Sequence, residues 1–94
     1  MSDIVFVPAR TALVNVDIQQ RFVDRAIDGM ATLGRINKLA DTCRSAQMLV
    51  VHTSHVLRPD GSNMGILGEL LEPIRDGALN KGASTAALHA GTRD

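Results

Sequence analysis

The stretch from Thr11 to Val23 constrains this chain more than any other. Ala12-Leu13-Val14-Asn15-Val16 is a short, mainly apolar run, and it closes directly on a carboxylate, Asp17. Such a run between polar residues suits a strand buried on both faces, as in a parallel sheet. In open parallel α/β sheets, ligands gather at the carboxyl ends of the strands. Asp17 is therefore either a turn or helix-capping residue or a site residue, since strand-end acids also close turns.

The rest of the chain supplies a partner for that strand. The first strand is expected over 11–16. A polar connection follows over 17–29, holding Phe22, Val23 and Ile27 and ending in the turn signal Asp28-Gly29. A helix is predicted over 30–46, because Leu33, Ile36, Ala40 and Cys43 recur at three- and four-residue steps. Gly34 weakens it by roughly 1 kcal/mol relative to alanine. Met48 to Thr53 reads as a second buried strand, and strand–helix–strand predicts a right-handed parallel crossover. Beyond it lie the turn Arg58-Pro59-Asp60-Gly61, a short helical piece over 66–71 stopped by Pro73, and a stretch over 78–91 rich in small residues. There Ser84 is a candidate cap for a weak helical turn.

Two parallel strands and one good helix do not close a core. A sheet needs three or more strands, with cover on both faces, to stand alone. With 94 residues, a chain buries only about 60–65% of its unfolded surface even when well formed. An unpaired edge and half of each sheet face are expected to be bare. A partner, a second copy or a missing remainder of the same chain is expected to cover them, and a homo-oligomer is expected.

Composition excludes several functions. Lys plus Arg and Asp plus Glu are both 10, so formal net charge is zero and no basic field recruits nucleic acid or an anionic membrane. Two Phe and no Tyr or Trp leave no stacking platform or aromatic cage. No apolar run approaches the length of a membrane helix. The single cysteine, Cys43, excludes an internal disulfide and suits a reducing compartment, so a cytoplasmic protein is expected.

Few side chains offer chemistry. Cys43 lies mid-helix on the apolar stripe and reads as a buried structural cysteine. His52 and His55, three apart on a strand, point to opposite faces and cannot share a metal. His55 lies just past the strand, on the sheet edge where Asp17 is expected, and is a candidate substrate contact. Gly77 to Ser84 imitates a phosphate loop but carries Ala83 where lysine is needed.

Val14-Asn15-Val16-Asp17-Ile18-Gln19-Gln20-Arg21-Phe22-Val23 resembles the opening motif of the isochorismatase-like cysteine hydrolases, approximately V-I-D-M-Q-N-D-F-V. Leu49 to Val56 is similar to that family's second strand, Arg58 to Gly65 to its following loop, and Leu79 to His89 to the stretch before its third strand. The resemblance spans nearly the whole chain but only about the first half of the family's domain. It implies a partial doubly wound, Rossmann-like parallel α/β sheet, comprising the first two strands, the first helix and a long loop. Residues 1–94 would be the N-terminal part of a single domain.

The family uses an Asp, Lys and Cys triad. A thiolate attacks an amide or similar carbon, with the acid as base and the ammonium balancing charge. Isochorismatase-type members instead cleave a vinyl ether with the Asp and Lys. Asp17 matches the acid, and Gln19 and Phe22 would floor the pocket or support it. Lys81 falls before the expected third strand and so is not matched to the lysine, while Cys43 is not matched to the nucleophile. The metal-binding relatives carry Asp-x-His where His55 and Leu57 stand, so neither a metal nor a cofactor is implied. Arg21 replaces the usual acid after Gln-Asn in the opening motif. Gln47 stands where the family commonly ends its first helix with glycine. The implied function is hydrolysis of a small amide-like substrate or of isochorismate, inactive in this chain alone. The alternative is a non-catalytic relic serving as an oligomerisation module.

Overall fold

The computed structural model describes residues 4–93. Strands β1 (Ala12–Asn15) and β2 (Leu49–His52) pair in parallel, with Ala12 opposite Leu49 and Asn15 opposite His52. The expected strand–helix–strand unit is therefore present. Between the strands run a short helix, α1 (Gln20–Arg25), and a long one, α2 (Gly29–Ser45). Along α2, Leu33, Ala40 and Cys43 are buried and Ile36 is half-buried, as the stripe of small and branched residues predicts.

The ends of α2 depend on unusual backbone. Asp28, just before it, has φ 54°. Gly29 follows, and no side chain fits there: an added Cβ would overlap the Val23 carbonyl oxygen of α1. At the other end Gln47 has φ 63°. Its N–H donates to the Arg44 carbonyl (2.9 Å) and that of Met48 to the Cys43 carbonyl (2.9 Å). These two bonds form a Schellman stop, with glutamine in the left-handed position that glycine usually takes.

Three local expectations need correction. The polar connection over 17–29 is interrupted by α1, whose six residues bury only Val23 and so leave almost no periodic signal. Helix α3 (Gly65–Leu70) is followed at once by α4 (Glu72–Arg75), with Pro73 in the first turn of α4. Proline suits a first turn, where its missing N–H has no partner to lose. Ser84 begins a short 3-10 turn (Ser84–Ala86) but makes no side-chain cap bond.

Past β2 the chain makes a further pairing. Leu57 N–H donates to the Leu79 carbonyl (2.8 Å) and Lys81 N–H to the Leu57 carbonyl (2.8 Å), a parallel bridge between Leu57 and Asn80. Two small cores result. Ile18, Val23 and Leu33 form one, with Ile36 and Leu88 against it; Leu57, Ile74 and Leu79 form the other, with Met64.

Burial of β1 on both faces is not met. Leu13 and Asn15 turn inward, whereas Ala12, Val14 and Val16 are exposed, and so is Leu49. One face is covered and the other is bare. The accessible surface is 6683 Å², against about 5,300 Å² for a compact chain of this mass. The radius of gyration is 16.0 Å, against about 12 Å for a compact domain. Among the described residues no helix is long and apolar enough to cross a membrane.

Candidate active site

Asp17 leaves the end of β1 in left-handed backbone, φ 57°. Aspartate tolerates this region better than most residues, yet it is uncommon outside turns. Three contacts with Thr53, just past β2, hold it there. Asp17 N–H faces both the Thr53 carbonyl (3.2 Å) and Oγ1 (3.1 Å), and the Thr53 hydroxyl donates to Asp17 Oδ1 (3.0 Å). Asp17 Oδ2 accepts no hydrogen bond among the described residues. The acid is thus a turn residue and also a carboxylate with one oxygen unengaged.

Below it, Gln19 is fully buried. Its amide nitrogen donates to the carbonyls of His55 (3.0 Å) and Ala86, and its oxygen accepts from His55 N–H (2.7 Å). Flanking backbone bonds run from Gln20 N–H to the Ala87 carbonyl and from His89 N–H to the Ile18 carbonyl. Gln19 therefore ties three chain segments together beneath the strand ends, and its amide has no surface left for a ligand.

Phe22, on α1, shares a cleft of about 230 Å³ with Asp17. Val16, Ile18, Val23, Leu33 and Ile36 supply its apolar wall. In a weakly polar cleft a carboxylate and its partners interact more strongly than in water. His55 is half-buried on the same strand-end surface but does not line this cleft. His52 points elsewhere and shares a 3.3 Å contact with Asn15.

The structure revises the placement of Lys81. Asn80 makes a single parallel bridge with Leu57, between turns, and Lys81 follows that bridge. Lys81 is exposed and lines a second cleft of about 330 Å³ with Ser54, Val56 and Ser84. Ser54 adjoins Thr53, the residue that holds Asp17. Acid and ammonium thus emerge on neighbouring clefts. Sequence reasoning missed Thr53 and the position of Lys81. The register of Asn15 opposite His52 would have found Thr53, which sits beside the residues after Asn15.

Cys43 lies at the opposite end of the sheet. It is buried and lines a groove with Leu13, Leu39 and Met48, beside the start of β1. Ala12 and Asp17 are five residues apart along an extended run, which separates the two ends by roughly 16 Å. Among the described residues no three His, Cys, Asp or Glu side chains stand together as a metal site.

A short parallel sheet, a crossover helix and a strand-end acid define an open α/β fold. The crystal structure of a cysteine hydrolase from Pseudomonas syringae pv. phaseolicola 1448A matches it with a TM-score of 0.79 at 24% identity, covering 95% of this chain and 44% of that one. The chain spans less than half the length of that protein, and at this identity the likeness concerns the fold. No curated protein matches the chain. The isochorismatase domain model matches residues 11–94, and the chain belongs to that family.

Proposed function

We propose that residues 1–94 form the N-terminal part of one isochorismatase-like hydrolase domain. Its substrate is a small molecule, carrying either an amide-like C–N bond or the vinyl ether of isochorismate. The observation that carries this reading is Asp17, held by Thr53 in left-handed backbone at the carboxyl end of β1, with one carboxylate oxygen unengaged. Backbone held in a sparsely populated region is a pointer to function when its surroundings fix it so firmly. Asp17 acts as the base, Phe22 forms the cleft wall, and Gln19 supports both from beneath. Lys81 takes the part of the ammonium group. His55 meets only a ligand that reaches beyond the Asp17 cleft. The reading needs no metal or cofactor and places the protein in the cytoplasm.

This chain by itself does not turn over substrate. On the amide-like substrate the attacking group would be a thiolate, and the sole cysteine is buried at the far end of β1; for the vinyl ether, Asp17 and Lys81 line separate clefts and so do not meet on one substrate. Purified protein assayed against small amides and isochorismate is expected to match the buffer rate. Turnover that disappears in Asp17→Asn would contradict this.

A second reading, a non-catalytic oligomerisation module, is favoured by one observation. The accessible surface exceeds that of a compact chain by about 1,400 Å².

A further inference from the structure

Helix α1 carries two cations, Arg21 and Arg25, one turn apart, so both fall on the same side of the helix. The family's opening motif has an acid where Arg21 stands, so the charge is reversed at this point. Like charges at this spacing repel, and α1 has only six residues to resist them. Arg25 suits the last turn, but Arg21 lies in the first, where the helix dipole disfavours a cation. Among the described residues neither arginine has an ion-pair partner, whereas Arg44 and Arg93 both reach Asp41. The acid of α1, Asp24, is engaged by Gln20 (2.9 Å) and His89 (3.6 Å). The two guanidinium groups border a cleft of about 310 Å³ between α1 and α4, and the rest of its wall is apolar: Phe22, Ala26, Leu71, Pro73 and Ile74. Glu72, the acid of α4, does not line it. Phe22 and Ala26 border the Asp17 cleft as well, but Asp17 does not reach this one. Both the charge and the apolar wall are supplied within this chain.

We infer that this cleft binds a small carboxylate carried on an apolar ring. Arg21 and Arg25 hold the carboxylate, while Phe22, Leu71, Pro73 and Ile74 pack against the ring. A guanidinium presents a planar fork that matches a carboxylate, and such a charge-assisted pair is about twice as strong as a neutral hydrogen bond. The bound anion also removes the repulsion between the two arginines. The cleft lies at the lower end of the roughly 300–1,000 Å³ typical of ligand sites, which suits a single ring and not a polymeric anion. A bare inorganic anion would satisfy the arginines but leave the apolar wall in water, and a ring placed there buries it. The inference concerns recognition alone; it goes beyond the hydrolysis proposed for Asp17 and does not rest on it.

Titration of the isotope-labelled chain with benzoate, followed by amide NMR shifts, tests it, with acetate and benzamide as controls. Benzoate is expected to give saturable shifts at Arg21 to Ala26 and at Leu71 and Ile74, with Thr32 and Ile36 of the Asp17 cleft unmoved. Acetate lacks the ring and benzamide lacks the charge, and each is expected to bind at least about tenfold more weakly. Arg21→Gln and Arg25→Gln are each expected to weaken benzoate at least about tenfold and to leave benzamide unchanged. Neither side chain is buried, so circular dichroism should match the wild type. If one variant does not fold, the other and the comparison of ligands on the wild type decide. No saturable benzoate shift, equal affinity for acetate or benzamide, benzoate binding unchanged in a folded variant, or shifts centred on Thr32 and Ile36 would each overturn the inference. None of these results bears on the turnover assay, so the two readings fail separately.

Discussion

Thr53 and Gln19 carry the strand-end geometry through a handful of hydrogen bonds. Thr53→Val keeps the shape and removes the hydroxyl that donates to Asp17 Oδ1. A cost of about 1 kcal/mol is expected, read as a lower urea midpoint. Gln19→Leu is harsher, because it leaves the His55 N–H and two carbonyls buried without partners. Roughly 2–4 kcal/mol is expected from the same measurement. Asp60 offers a titration check. The Ser62 backbone N–H donates to Asp60 Oδ1 (2.9 Å), and this bond, with the Ser62 side chain, lowers the Asp60 pKa below its ordinary value. A depressed folded pKa means that the contribution is present above the unfolded pKa and is lost as pH falls through the folded one. An NMR titration should place the Asp60 midpoint below that of an unstructured aspartate.

Helix α2 contains both a weak position and two strained ends. Gly34 is exposed, and an added Cβ meets nothing within 4 Å. Gly34→Ala should stabilise by about 0.5–1 kcal/mol. Gln47→Gly should stabilise by up to about 1 kcal/mol, since glycine accepts the left-handed stop without strain. Gly29→Ala should destabilise, as α1 and α2 must separate at the Val23 carbonyl. Thermal denaturation of the three variants should rank Gly29→Ala lowest. How far these elements were legible follows from their length and periodicity. The stripe Leu33, Ile36, Ala40 and Cys43 repeats often enough to reveal α2, and the run Ala12 to Val16 reveals β1. Helix α1 buries one residue and the bridge at Asn80 is a single pair, so neither writes a period into the sequence. Asp17 was legible because it ends a strand. Thr53 was not, because its role depends on register across the sheet.

At the scale of the whole molecule, incomplete cover on the sheet follows from too few elements, and the exposed Val14, Val16 and Leu49 record it. The chemical groups also lie apart. Asp17 and Lys81 reach the carboxyl-end surface, while the one thiol is buried beyond the start of β1. The most direct measurement is the rate at which iodoacetamide alkylates Cys43 in the native protein, compared with Asp17→Asn. Alkylation as slow as global unfolding and unchanged by the substitution is the predicted result. Fast native-state alkylation that slows when Asp17 loses its charge would place acid and thiol together and contradict the account.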